Sequence, residues 1–241
     1  MIGETHLPYA DRPSPKNRLL SSLSQATLDE IYSHLYPVSL SQRQIIDETG
    51  RPIEHVYFIE EGVVSMLTDM ADGAAIETAM IGIEGMTGVP VLLGAQGSSQ
   101  QAIVQIPGSG LRMSATVCKG VFEAHADFRS KVLIFAESLM NVTAQTAACN
   151  RLHSLEQRCA RWLLMACERA GSDTVPMTHE FLSTMLGVRR AGITTAAGEL
   201  QRSGMIRYRR GEVTIVNRDS LADSACECYR IDHERLARLV S

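Results

Sequence analysis

From Thr178 to Asn217 the chain reads THEFLSTMLGVRRAGITTAAGELQRSGMIRYRRGEVTIVN, a stretch that few folds can accommodate. Phe181, Leu182, Met185 and Leu186 recur at helical spacing after Thr178, whose hydroxyl can cap the first turn. Gly187 supplies the left-handed conformation that ends such a helix at little cost. A second helix follows over about Arg189–Gln201, with Ile193, Ala197 and Leu200 turned inward. Arg189, Arg190, Thr194, Thr195 and Gly198 fall on its other side, which is small, polar and cationic and can approach base edges without obstruction. Ser203-Gly204 ends it, and Met205–Val216 alternates as a hairpin turning at Arg209-Arg210-Gly211. Two helices about a glycine turn, followed by a basic hairpin, predict a winged helix-turn-helix. That arrangement places one helix in a DNA groove while the wing holds flanking phosphates.

On this reading Arg190 is the candidate for a bidentate guanine contact, and Thr194 and Thr195 for a thymine methyl or a phosphate. Arg207, Arg209 and Arg210 reach phosphates, and Thr178, Arg189 and Arg202 complete the DNA-facing set. The competing reading of the wing arginines is a solvated hairpin face; the adjoining helical pair weighs against it. Charge points the same way. The whole chain is at −4, yet Arg151–Arg218 holds eleven arginines against six carboxylates, a balance of +5. A basic segment in an acidic chain marks a polyanion partner that touches one end.

The remaining composition mostly excludes. No apolar run approaches the ~20 residues that cross a bilayer, so no membrane partner is expected. Residues 1–17 lack a secretory apolar core and read as a flexible lead-in. The six cysteines are scattered, which suits a reduced, cytoplasmic protein. Cys226-Glu227-Cys228 is a Cys-x-Cys with His233 on the same segment, but a fourth ligand is not evident; the expectation is structural thiols, no metal and no cofactor. Cys149 in a helical seam is expected to be a small apolar contact rather than a redox centre. There is no His-x-His, His-Glu-x-x-His, Gly-x-Ser-x-Gly or phosphate-binding glycine loop, and an enzyme is not expected.

The first half is β-rich. Short apolar runs at Tyr36–Leu40, His55–Glu60, Gly62–Thr68, Ala74–Ile81, Gln101–Ile106 and Gly110–Met113 are punctuated by Glu61-Gly62 and Asp72-Gly73 as hairpin turns. That spacing suggests a barrel or roll, preceded by a helix over Pro15–Leu35. From about Ala124 to Asn150 there is neither Gly nor Pro, and Phe128, Val132, Phe135, Leu139, Val142, Thr146 and Cys149 step by four and three. This is a heptad seam, read as a two-chain coiled coil in preference to a helix packed on its own domain. A further helix over Ser154–Ala170 opens the DNA-binding half, with Ser154 and Gln157 as a capping box and Leu152–Ser154 as the hinge.

The order of these parts resembles the Crp/Fnr family of bacterial transcription regulators, over roughly Asn17–Leu221. HVYFIEEGVVSMLTDMADGAAIETAMIGIEGMTG is similar to that family's β-roll core, and TAACNRLHSLEQRCARWLLMACERAG to the linking run of one of its subgroups. The resemblance implies an α+β protein with a double-stranded, jelly-roll-like β-roll sensor domain over 18–123. A long dimerisation helix and hinge would follow over 124–152, and a winged helix-turn-helix domain over 153–241. It further implies a homodimer on a palindromic operator in double-stranded DNA, with RNA polymerase as a candidate further partner and a small-molecule effector in the roll. The pocket candidates are Glu84, Gly88, Val89, Gln100, Gln101 and Ala102.

Cyclic-nucleotide-binding members carry Gly-Glu and Arg-Ser/Thr-Ala steps in that pocket. Here Gly88 is followed by Val89, and the second step reads Gln100-Gln101-Ala102, without the phosphate-neutralising arginine. Losing such a pair costs about 2–5 kcal/mol, so the effector is expected not to be cyclic AMP. The N-terminal cysteine group of the iron–sulfur members has no counterpart, since the first cysteine is Cys118. The alternative is a non-enzymatic signal-binding module whose basic half docks a protein or binds DNA without specificity.

Overall fold

The computed structural model describes residues 14–239, so most of the lead-in expected over 1–17 lies outside the described residues. Two short helices, α1 (Arg18–Ser21) and α2 (Gln25–Tyr32), replace the single helix expected there. The break has a local cause: Asn17 caps the first helix through Leu20 N–H, and Ser24 restarts the chain as a second N-cap on Thr27 N–H.

The strands are β1 (Tyr36–Leu40), β2 (Ile45–Asp47), β3 (His55–Asp69) and β4 (Ala75–Ile81); after the short α3 (Val89–Leu92) comes β5 (Gln101–Ser114). Their order is β1-β5-β3-β4, with β2 also pairing β5. β1 runs antiparallel to β5, from Tyr36 opposite Arg112 to Leu40 opposite Gly108. Asp72-Gly73 makes the expected β3–β4 turn: Gly73 has φ 83°, and Met70 N–H donates to Ala74 C=O at 2.8 Å.

Glu61-Gly62 does not turn the chain, and β3 continues through it for 15 residues. Gly62 has φ 88°, and a Cβ there would lie 2.5 Å from the Ile106 carbonyl oxygen. The glycine therefore bends a strand where β5 crosses closely, and does not reverse it. The same crossing makes Gln101–Ile106 and Gly110–Met113 one strand, because Gly108 lets the backbone pass Glu61.

Next come α4 (Ala115–Ala124), α5 (Ala126–Leu152) and α6 (Leu155–Ala170), the last entered through the full Ser154–Gln157 capping box. Then β6 (Thr174–Pro176), α7 (His179–Leu186), α8 (Arg190–Arg202), β7 (Ile206–Arg209), β8 (Glu212–Ile215), α9 (Arg218–Ser224) and α10 (Cys228–Leu239) complete the chain. The wing is three-stranded, in the order β6-β8-β7; Thr174–Pro176 carries no alternation long enough to read as a strand in sequence.

The described residues divide into two compact units, 14–64 with 81–137, and 65–80 with 138–238. The outer part of the β3–β4 hairpin thus belongs with the helix-turn-helix unit, and the division falls inside α5. The first unit is cored by Phe58, Ile59, Met86, Met113 and Phe128, the second by Leu163, Leu164, Met177, Leu182 and Ile193.

The seam expected to pair two chains is turned into the chain itself. Phe128, Val132, Phe135, Val142 and Cys149 are buried, and Leu139 and Thr146 are half-buried. The Phe128 ring lies 6.2 Å from that of Phe58, and Phe135 covers Gly85 so closely that a Cβ there would meet it at 2.1 Å. These large side chains fill their own core, so they cannot form the surface of a partner. The opposite side of α5 carries a second stripe: Leu133, Ile134 and Met140 are exposed at 45%, 49% and 71%, with Ala144, Ala147 and Ala148 continuing the line. Glu137 interrupts this outer line between Leu133 and Met140, so α5 is apolar on two sides without being apolar all round. Among the described residues this helix alone is long and apolar enough to cross a membrane by length and composition, where the sequence reading expects no such run.

Candidate nucleic-acid interface

The reading head is built on α7 and α8. Thr178 caps α7, accepting from Phe181 N–H at 3.1 Å. Gly187 ends it with φ 63°, and a Cβ there would lie 2.6 Å from the Ile76 Cδ1 of the hairpin arm, so the turn needs glycine for its conformation and for its space. On α8, Ile193, Ala196, Ala197 and Leu200 are buried, while Arg189, Arg190, Ala191, Thr194 and Thr195 are exposed.

Arg190 has 69% of its side chain exposed and only a loose contact to Glu180, 3.8 Å away. A pair this long and this solvated leaves the guanidinium free to re-aim. Thr194 and Thr195, both exposed, donate their hydroxyls to the carbonyls of Arg190 and Ala191, at 3.1 and 3.2 Å. Arg202, at the far end, pairs with Glu199 on its own helix.

The wing is tied to this head by two contacts that sequence reasoning missed. Gln201 accepts the Tyr208 N–H at 2.7 Å, which satisfies the outer edge of β7. His179 packs edge-on against Tyr208, with ring centroids 4.6 Å apart, and its Nδ1 lies 3.2 Å from Thr194 Oγ1. Burial, and then the nearby Arg190 charge, hold the His179 pKa below the ordinary histidine value. No spacing rule links positions 179, 194 and 208.

Arg207 and Arg209 are exposed on β7, and the turn is Arg210-Gly211, with φ 51° and 83°. Two positive φ values define a type I′ hairpin, for which Asn-Gly is the favoured pair. An arginine held there is strained for no gain in packing, a pattern found where function fixes the residue. Arg210→Asn is expected to keep or raise thermal stability while weakening binding to every duplex, lowering the slope of log affinity against log salt by about 1. Melting curves and salt-titrated binding check both halves of that statement.

Several arginines of the basic segment do not face outward. Arg161 and Arg169 are buried, Arg158 donates to the Leu186 carbonyl at 2.6 Å, and Arg218 pairs with Asp173 at 2.6 Å. The balance of +5 therefore overstates the exposed charge; the exposed arginines of the segment are Arg151, Arg189, Arg190, Arg202, Arg207, Arg209 and Arg210. Arg161 instead makes a buried ion pair with Asp232 at 2.6 Å. In the same unit Glu77 is buried, accepting from Trp162 Nε1 at 2.8 Å and from the Ser65 hydroxyl at 2.5 Å. Burial pushes its carboxyl up to about 7, against the pull of those two bonds and of Arg169 and Arg161.

The pocket candidates all lie in the first unit. Gly88 opens α3 with φ 79°, and a Cβ there would meet Val56 at 2.6 Å. Glu84, Val89 and Ala102 are buried, and Gln100 and Gln101 are half-buried at the start of β5. No arginine or lysine belongs to this set.

Residues 157–224, from α6 to α9, match the Crp-like helix-turn-helix domain. Over that stretch the chain carries a Crp-like helix-turn-helix domain. Among curated proteins none matches it in sequence. Among solved structures it resembles a Crp/Fnr-family protein from Eubacterium rectale, with TM-score 0.68, 18% identity, and 86% of this chain and 96% of that one covered. FixK2 from Bradyrhizobium japonicum gives TM-score 0.68 and 16% identity over 80% of this chain and 98% of its own. CLP from Xanthomonas campestris, a regulator described as responsive to c-di-GMP, gives 0.65 and 14% over 80% and 99%. At these identities the likeness is one of fold.

Proposed function

We propose that this Crp/Fnr-type protein is a sequence-specific DNA-binding transcription regulator that acts as a homodimer under the control of an effector in its first unit. The observation that carries the reading is the α8 face: an arginine and two threonines, all exposed, on an unobstructed helix, beside a wing with three arginines. Arg190 reads a guanine edge through its paired N–H groups, and Arg207, Arg209 and Arg210 hold phosphates. Pairing of two chains through the outer stripe of α5 presents two such heads to a palindromic site. The effector biases that pairing between DNA-competent and incompetent arrangements. The absence of a cation among the six pocket candidates suits a ligand other than cyclic AMP.

Selection of bound duplexes from a random pool tests the reading, with specific affinity expected at least ~10³-fold above non-specific affinity. Arg190→Ala is then expected to cost about 1–3 kcal/mol at one base pair and relax selectivity there. Arg209→Ala should weaken all duplexes alike and flatten the salt dependence. A pool that yields no consensus leaves a basic module that docks a protein or binds DNA unselectively, and identical behaviour of the two variants removes the division of roles.

A further inference from the structure

Three of the six cysteines are ordinary core residues: burial pushes the thiols of Cys118, Cys159 and Cys167 up to about 12, where they are inert at neutral pH. The other three are gathered. Cys149 lies one turn from the end of α5, and His153, four residues on, shares its face just past the helix. Cys226 and Cys228 lie at the junction of α9 and α10 and meet them there. Cys149 Sγ is 3.5 Å from Cys226 Sγ, and Cys228 Sγ is 3.6 Å from His153 Nδ1. One atom from each of the four residues falls within 4.8 Å of all the others.

Those distances have a meaning. A tetrahedron with metal–sulfur bonds of ~2.3 Å and a metal–nitrogen bond of ~2.0 Å has edges of about 3.5–3.8 Å. The Cys149–Cys226 and Cys228–His153 contacts already match such edges, and the set leaves room for one ion, not for a multi-iron cluster. The surroundings are those of a metal site as well. His153 turns Nδ1 inward and donates from Nε2 to Glu227, 3.1 Å away, which fixes the ring and raises its basicity. Gln145 Nε2 donates to Cys228 Sγ at 3.1 Å.

We propose that Cys149, His153, Cys226 and Cys228 bind one zinc ion as a closed, structural Cys3His site that staples the α9–α10 junction to the end of α5. Three thiolates and an imidazole in tetrahedral array select zinc among common divalent ions. All four positions come from protein, so the site holds structure and has no open position for chemistry. Binding releases the thiol protons to solvent and changes no oxidation state.

The test uses the full chain, purified anaerobically without chelator. Elemental mass spectrometry is expected to find about one zinc per chain, falling at least ~10-fold in Cys149→Ser and Cys228→Ser and unchanged in Cys167→Ala. Glu227→Ala, which removes only the carboxylate behind His153, should weaken zinc binding by about 10–100-fold in a chelator competition. If the cysteine variants do not fold, cobalt titration of the unaltered chain decides: tetrahedral thiolate ligation gives intense visible d–d bands and a near-ultraviolet charge-transfer band, saturating at one equivalent. A chain without zinc that gives no cobalt bands overturns the proposal. So does a folded Cys228→Ser that keeps full stoichiometry, or a Cys149–Cys226 disulfide in place of metal.

Discussion

A chain carrying Leu133→Asp and Met140→Asp is expected to be monomeric, and to bind a two-half-site duplex about 10²–10⁴-fold more weakly than the parent. The two positions are seven residues apart on the outer line of α5, 45% and 71% exposed, so neither substitution removes core packing. In a paired helix each would face its own copy, and the apolar seam would become a row of like charges. The loss in DNA affinity follows from valence: joined heads bind the second half-site at a high effective concentration, and separate heads do not. A single half-site should therefore be bound equally well by both proteins. Light scattering across a concentration series, with binding to one and two half-sites, measures each part. Val132→Asp is the contrasting case; it buries a carboxylate in the first unit's core and should unfold that unit instead of dissociating a dimer. A double variant that remains dimeric would place the pairing surface elsewhere.

What the sequence made legible was local. The Thr178 cap, the Gly187 stop, the Ser154–Gln157 box and the Asp72-Gly73 turn each lie within a few residues, and each is found as expected. Glu61-Gly62 has the same local grammar as a turn and is a bend, because what fixes it is Ile106 on a distant strand. The α5 seam was visible as a period, but a period does not say whether the apolar side meets its own domain or another chain. Phe128 and Phe135 settle that by the cavities they fill, which only the fold creates. The Cys and His group escaped for a related reason. Cys226-x-Cys228 was noticed, but its partners lie in a helix 77 residues earlier, while His233, nearer in sequence, faces Glu168.

Glu77 shows the same limit at a single residue, and it predicts a pH dependence. Nothing about Glu77 in an alternating strand suggests burial against a tryptophan 85 residues away. In the folded protein its carboxyl keeps its proton up to about pH 7, whereas an ordinary glutamate releases it near 4.5. Between these values the folded state holds a proton that the unfolded state has lost. Stability from this group is therefore present below pH 4.5, falls as pH rises through the window, and is gone above 7. Glu77→Gln removes the titration and keeps the geometry: the amide oxygen accepts from Trp162, and the amide N–H donates to Ser65. The variant is expected to match the parent near pH 4.5 and to exceed it at pH 8, by at most about 3 kcal/mol. Arg161 and Arg169 favour the charged carboxylate and limit that gain, though Arg161 is already engaged by Asp232. Denaturant unfolding of both proteins from pH 4.5 to 8.5 measures the difference. Equal stability at pH 8 would mean that the two guanidinium groups fully compensate the ionised carboxylate, and that the Ser65–Glu77–Trp162 link holds the hairpin arm to α6 with the same strength in either protonation state.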